Sequence, residues 1–400
     1  EKLSGIYHHK RINASHKLMR GINDTFVAPH SRHTDAVFSD IKNKSTYTGS
    51  RRDDEQLLTS LATDGLKERY GADHGVARER VEKELNIIRQ LGFAAYFLIT
   101  WDIIRYSMSR GFYHVGRGSG ANSVVAYCLK ITDVDPIELN LYFERFLNPK
   151  RSSPPDFDID YSWRERDEVQ QYIFKRYGEG HTALLGAMST FQERAAIREL
   201  GKVYGLPKEE IDAMGTPSST PEAGSLEERI RQMGRQLGGF PNLRTIHAGG
   251  ILISDAPITD YTALDMPPKG LPATQWDMYT AEDIGFEKFD VLSQRGIGHI
   301  KECIDIVHHN HGEKIDMHRV AAFKHDEQVK TLLLKGETTG CFYIESPAMR
   351  CLLKKLQCDD YLTLVAASSI IRPGVARSGM MREYIRRFHH PGDFQYIHPV

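Results

Sequence analysis

The densest cluster of reactive side chains is Pro154-Pro-Asp-Phe-Asp-Ile-Asp160, where carboxylates recur at every second position. On a strand, that spacing turns Asp156, Asp158 and Asp160 to one face and Phe157, Ile159 and Tyr161 to the other. Carboxylates this close repel one another unless a cation sits between them. Magnesium takes oxygen ligands and keeps waters that a phosphate can replace, so the pattern suits two-metal phosphoryl or nucleotidyl transfer. A calcium loop fits poorly, because its sixth position needs glycine and holds Tyr161, and its twelfth needs glutamate and holds Asp167. An exposed polar edge strand is the other reading of these residues, although apolar Phe157 and Ile159 argue for one buried face.

Three further segments carry groups of the same kind. In Gly116-Arg-Gly-Ser-Gly120 the glycines let backbone N–H groups approach an anion, and Arg117 and Ser119 can donate. A helix opening after this loop, Ser123 to Leu129, would add its N-terminal dipole. The segment matches neither GxxxxGK[ST] nor GxGxxG, and an ordinary turn has the same composition. Phe286-Glu-Lys-Phe-Asp290 offers a carboxylate beside Lys288, which would complete a metal site or form a salt-bridged strand. His247-Ala-Gly-Gly250 reads as a histidine held near a close backbone approach, or as a tight turn with a core histidine. Arg194, Arg198 and Lys202, and then Arg229, Arg231 and Arg235, crowd single helices as DNA-backbone contacts or as solvated faces.

The elements that must position these groups follow from periodicity. Residues 1–35 show none that is sustained, and a polar run from Ser39 to Asp54 places a boundary near residue 40. From Asp54 to Tyr106 the spacing is helical, through Leu57, Leu58 and Leu61 and then Val81, Leu85, Ile88 and Leu91. Prolines 136, 149, 154 and 155 break the chain before the acidic strand. Helices are expected at 166–177, 191–204 and 226–237, with Ser189/Gln192 and Ser225/Glu228 spaced as capping boxes. Strands and loops fill 247–290, and helices return after Arg295, interrupted at 337–340 and at Arg372-Pro-Gly374.

Composition narrows the class of molecule. At 400 residues with 40% hydrophobic and 26% charged, the chain has enough apolar content for several packed subdomains. A net charge of −1 gives no global signature of a nucleic-acid partner. The five cysteines form no CxxC pair, which fits a reducing compartment. The longest apolar run, Phe93 to Trp101, is too short to span a bilayer, so no membrane is expected and the location expected is cytoplasmic.

In order, the chain reads Gly92-Phe…Tyr96-Phe-Leu-Ile, Val115-Gly-Arg-Gly-Ser-Gly-Ala121, Lys130-Ile-Thr-Asp-Val-Asp-Pro136, Phe143-Glu-Arg-Phe-Leu-Asn-Pro149, Pro155-Asp-Phe-Asp-Ile-Asp160, His247-Ala-Gly-Gly250, Lys288-Phe-Asp290 and Arg372-Pro-Gly…Ser378-Gly-Met380. From about residue 42 onward this succession resembles the C-family DNA polymerases, the alpha subunit of bacterial DNA polymerase III. The resemblance implies an α+β fold: a polymerase beta-like palm split by a helical thumb, followed by mainly helical, partial fingers. The corresponding division is 41–187 and 247–294 for the palm, 188–246 for the thumb and 295–400 for the fingers.

It also implies that Asp156, Asp158 and Asp290 are catalytic and bind two Mg2+ ions, with Asp160 a less critical acid. Arg117, Gly118, Ser119, Gly120, Arg145, Lys288, His247 and Arg372 would bind nucleotide. Substrates would be primer–template DNA and deoxynucleoside triphosphates. The metal-binding PHP domain, a 3′–5′ exonuclease and the regions that meet the sliding clamp and replisome subunits are expected to be absent, and activity weak or absent. Ile246 departs from the lysine that some members carry before the histidine.

Residues 1–40 differ. Lys2-Leu-Ser-Gly-Ile-Tyr7, Met19-Arg-Gly-Ile-Asn-Asp24 and Phe26-Val-Ala-Pro-His-Ser-Arg32 resemble homoserine O-succinyltransferase over residues 1–35. No cysteine precedes Cys128, so the nucleophile of that family is missing and neither acyl transfer nor an independent fold is expected. The two resemblances together read as a chimeric or misjoined reading frame. An inactive DNA-binding fragment and an acyltransferase remnant are the alternative functions.

Overall fold

The computed structural model describes residues 2–10, 25–33, 46–150, 155–214, 221–372, 374–375 and 378–393. The boundary expected near residue 40, Pro154 and Pro373 lie outside them.

Three helices build the layer that backs the site. In α1 (Arg51–Tyr70) the Ser50 hydroxyl accepts from the Asp53 N–H, and Asp53 and Asp54 stand at the positive end of the helix. Buried Asp54 also takes the N–H groups of Tyr47 and Thr48, closing the turn ahead of the helix. α2 (Gly75–Leu91) stops at Gly92, whose φ of 76° suits glycine. α3 (Ala94–Ser109) is apolar on most of its surface and is accordingly the buried helix, with Phe97, Leu98 and Ile99 fully covered. Leu58, Ala62 and Leu66 of α1 and Val81, Leu85 and Ile88 of α2 join it in the main core.

Among the described residues β1 (Lys2–Lys10) and β2 (Thr25–His33) pair only with each other, as an antiparallel ribbon. The remaining strands make one mixed seven-stranded sheet: β3 (His114–Arg117), β4 (Asp158–Ser162), β5 (Thr182–Thr190), β6 (Pro241–Ile253), β7 (Leu264–Asp265), β8 (Ala273–Thr274) and β9 (Phe289–Gln294). Their order is β3-β4-β9-β6-β5-β8-β7, with only β4–β9 and β5–β8 parallel. A mixed sheet with helices packed on it makes the fold α+β. Phe157, Ile159 and Tyr161 bury on the core side together with Phe289 and Val291, which answers the alternation in the sequence.

Short α4 (Val124–Cys128) follows the glycine turn, and α5 (Arg166–Tyr177) has the bounds its periodicity predicts. β5 and β6 run on together to Thr190 opposite Pro241, and beyond them stand α6 (Glu193–Val203), α7 (Lys208–Met214) and α8 (Leu226–Leu237). Capping corrects the expectation for α6. Ser189 lies inside β5 and its hydroxyl donates to the Leu243 carbonyl, because the paired strands reach further than periodicity indicates. Ser225 does cap α8, whereas the Glu228 carboxylate reaches back to the Gly224 N–H rather than to Ser225.

α9 (Met278–Asp283) precedes β9, after which come α10 (Arg295–His311), α11 (Val320–Lys324), α12 (Glu327–Lys335), α13 (Pro347–Leu356), α14 (Tyr361–Ile370) and a helix at Met380–His389. A second, smaller core of Leu333, Met349, Leu352, Leu353 and Leu356 holds α12 and α13 together. Among the described residues no single helix is long and apolar enough to cross a membrane.

Candidate metal centre

Strand register assembles the site. Arg117 of β3 pairs with Asp158 of β4, Asp158 with Asp290 of β9, and Asp290 with Gly250 of β6, so one row crosses four strands. Asp156, on the extended segment just before β4, completes the group. One oxygen from each of Asp156, Asp158 and Asp290 lies within 4.8 Å of the others. Asp290 is buried and the other two are half-buried.

Two cations meet this cluster. Lys288 Nζ donates to Asp156 Oδ2 and to Asp290 Oδ2, both at 2.5 Å. Arg117 reaches Asp160 Oδ2 through Nε at 2.8 Å and Asp158 Oδ2 through Nη1 at 3.1 Å. Four carboxylates against two cations leave two negative charges unmatched when all are ionised. The deficit is visible atom by atom, since Asp156 Oδ1 and Asp290 Oδ1 are buried with no hydrogen-bond partner among the described residues. Burial, and then the charge of Asp156, lifts the Asp158 carboxyl above the ordinary range. Burial also lifts Asp156, against the pull of Lys288. Burial opposes the charge on Lys288, but Asp290 and Asp156 outweigh it and raise its pKa. Orphaned oxygens, surplus negative charge and an all-carboxylate donor set fit a hard divalent cation.

The glycine turn passes directly over the acids. Gly118 has φ 74°, and a Cβ there would stand 2.7 Å from Asp158 Oδ2; at Gly120 it would meet the Phe157 ring at 2.4 Å. Ser119 follows Gly118 in the short 3-10 turn Gly118–Asn122, and its carbonyl accepts from Asn122 Nδ2. The dipole of the next helix is not free to meet a ligand, which corrects that expectation. Glu84, buried in α2, already takes the N–H groups of Val124 and Val125 and the Ser123 hydroxyl. Burial pushes its carboxyl up to about 6, still ionised at neutral pH, so Glu84 is itself the anion at that helix end.

His247 stands on a bulge. Between the Leu184–Ile251 and Gly186–Ile246 pairs, β6 advances five residues against two on β5. The Gly250 and Gly249 N–H groups donate to His247 Nδ1 at 2.9 and 3.4 Å. Nδ1 is therefore an acceptor, the ring proton sits on Nε2, and the 3.7 Å approach of Nδ1 to Asp290 Oδ1 is not an ion pair. Arg166 ties this bulge to β9 by donating to the Ala248 and Val291 carbonyls.

Tyr96, which sequence reasoning passed over, clamps the two acid-bearing segments. Its hydroxyl accepts from the Phe157 N–H at 2.9 Å and donates to the Lys288 carbonyl at 3.2 Å, and its ring packs on Phe157 and Phe289. Within the apolar run Tyr96-Phe-Leu-Ile it reads only as core. Arg145 is exposed at the end of the turn Phe143–Arg145, which packs on the Gly118–Asn122 turn. Arg372 lies on an exposed bend after α14, and none of the hydrogen bonds or ion pairs described at the acids involves it. In the basic ladders, Lys202 pairs with Glu199 and Arg231 with Glu227, while Arg194, Arg229 and Arg235 are exposed.

The family described as the bacterial DNA polymerase III alpha NTPase domain matches residues 56–293, and the bacterial DNA polymerase III alpha subunit finger domain matches 297–400. The chain is 36% identical over 363 residues to an error-prone DNA polymerase of Symbiobacterium thermophilum, covering 86% of this chain and 33% of that protein. It is 36% identical over 349 residues to the DNA polymerase III subunit alpha of Bacillus subtilis (82% and 31%), and 35% over 378 residues to that of Escherichia coli O157:H7 (86% and 32%). The chain thus spans about a third of the length of these curated relatives. Homoserine O-succinyltransferase matches residues 1–74, further than the 1–35 read from sequence, and overlaps the polymerase match at 56–74. In that overlap Leu58, Ala62 and Leu66 of α1 bury into the main core, so packing joins this helix to the sheet that carries the acids.

Proposed function

The chain belongs to the bacterial DNA polymerase III alpha family, and on that premise we propose that it carries the catalytic centre for template-directed transfer of a deoxynucleotide to a primer 3′-hydroxyl. The observation behind this reading is the adjacency of Asp158 and Asp290 on parallel strands with Asp156 beside them. The sheet with its first helices corresponds to a palm, the ribbon-borne α6–α8 to a thumb, and the helices from Arg295 onward to fingers.

Asp156, Asp158 and Asp290 would hold two Mg2+ ions, which supply Lewis acidity to the primer hydroxyl and to the leaving pyrophosphate. The protein's own residues do the rest. Lys288 keeps Asp156 and Asp290 together, and Tyr96 fixes the backbone that carries them. Arg117 neutralises triphosphate charge from the β3 side, where the glycine turn leaves room for phosphate oxygens beside Asp158. Asp160, buried beneath Arg117, orients that guanidinium. Arg145 and Arg372 complete the phosphate contacts once the fingers and nucleotide are in place. Primer–template DNA and deoxynucleoside triphosphates are the substrates, the sliding clamp and replisome subunits the partners of the whole protein, and the nucleoid its place in the cell.

Primer extension in Mg2+ tests this reading. The protein should add nucleotides complementary to the template, and Asp156→Ala and Asp158→Ala should abolish addition while melting as folded proteins. Near-parental extension by either variant would remove the site assignment. Salt-dependent DNA binding without turnover would leave only a binding role.

A further inference from the structure

We propose that His247 binds the primer terminus, donating its Nε2–H to an oxygen of the terminal nucleotide, while the incoming triphosphate occupies the opposite flank of the acids. This rests on the polymerase reading above. In-line displacement sets the attacking oxygen and the leaving pyrophosphate on opposite sides of the reacting phosphorus. The row of paired residues offers two such flanks. At the β3 end stand Arg117 and the glycine turn; at the β6 end stand Gly250 and the His247 bulge. Three strand spacings separate them, roughly 14 Å.

The flanks differ in charge. The β3 flank presents a guanidinium that is shared between Asp158 and Asp160 but stays 46% exposed, and a turn with no Cβ over Asp158, which suits a polyanion. At the β6 end, beyond the Lys288 ammonium that is spent on bridging Asp156 and Asp290, the group facing Asp290 Oδ1 is an uncharged imidazole, and the nearby Arg166 guanidinium is committed to two carbonyls. Such a flank suits a hydroxyl or a single phosphodiester. The ring is also oriented in advance. With Nδ1 engaged by the Gly250 N–H, Nε2 on the far side carries the proton and has no protein partner among the described residues, in a side chain 22% exposed. Glycine at 250 suits this arrangement, since a Cβ there would stand 2.9 Å from His247 Nδ1.

Steady-state extension by the full chain in Mg2+, with primer–template and nucleotide varied separately, separates the flanks. His247→Asn keeps an acceptor near the Gly250 N–H but loses the distal donor; His247→Gln restores a donor at about the reach of Nε2. H247N should raise the KM for primer–template about tenfold and leave the KM for nucleotide within about twofold, the loss expected for one hydrogen bond to a charged group. H247Q should recover most of that loss. A rise in the nucleotide KM instead, no change in either KM, or equal defects in both variants would overturn the assignment. Should H247N fail to melt as a folded protein, His247→Leu, which fills the ring's space without a distal donor, takes its place: its primer KM must rise about tenfold, and an unchanged KM would overturn the assignment. A parent protein that extends no primer would overturn the polymerase reading itself, and this inference with it.

Discussion

Lys288 holds Asp156 and Asp290 at 2.5 Å each, yet Asp158 is left with a half-exposed Arg117 and its carboxyl is raised by burial and by Asp156. Crowded acids of this kind are tolerated for function at some expense of stability. Asp158→Asn should therefore raise the melting temperature of the metal-free protein by about 2–4 °C while lowering extension by at least about a thousandfold. Calorimetry paired with the extension assay reads both, and a lower melting temperature would mean that Arg117 already balances this charge. In the same calorimeter, saturating Mg2+ should stabilise the parent and not Asp156→Ala, since only a protein that binds the ion when folded gains from it. The acids were legible because their i, i+2, i+4 spacing fixes a face. Tyr96, Glu84 and Arg166 were not, because the partners that give them a role include backbone groups brought near by tertiary packing, which spacing alone does not reveal.

The glycine turn and the helix after it form one supported unit. Glu84 supplies acceptors for three donors at the start of α4 and is bridged by Arg80 Nε at 2.9 Å. Glu84→Ala would strand those donors and leave a cavity, costing about 4 kcal/mol in urea unfolding. A cost below about 1 kcal/mol would show that water replaces the carboxylate. Gly118→Ala acts on the site itself. Its positive φ strains any side chain, and the added Cβ displaces the Asp158 carboxylate, so extension should fall while global stability drops by only about 1–3 kcal/mol. Helices were legible where an apolar stripe faced the core over several turns, as in α5, whereas α9 lies within 247–290, read as strands and loops, because six residues carry too little periodicity. The long run of β5 and β6 beyond the sheet was not, because Met188 and Leu243 there are exposed and leave no burial pattern to read.

Across the whole molecule, two ion pairs fasten the segment after α10 to the loop before the acids. His318 Nδ1 meets Asp133 Oδ2 at 2.6 Å, Arg69 reaches the same carboxylate, and Lys324 bonds Glu138 at 2.5 Å. The bond to Asp133 raises the His318 pKa above 6.5. Its contribution is therefore fully present below about 6.5 and is lost as pH rises through the raised value. Burial works against the charge on Asp133, but His318 and Arg69 outweigh it and lower its pKa, so its share persists above about 3.8 and fades only in acid. Amide exchange in residues 312–326, corrected for intrinsic rate, should quicken from pH 6 to 9 in the parent and stay flat in His318→Gln. An equal slope in both would assign the pH dependence elsewhere. The resemblance ordered these segments along the chain, but the clasp between them joins residues 185 positions apart and had no sequence signal. The central claim, that Asp156, Asp158 and Asp290 hold divalent ions together, is tested most directly by Mn2+ titration followed by electron paramagnetic resonance in the presence of a deoxynucleoside triphosphate and primer–template. Two bound ions in the parent, with both lost in Asp158→Ala, is the predicted result; equal Mn2+ binding by parent and variant would contradict it.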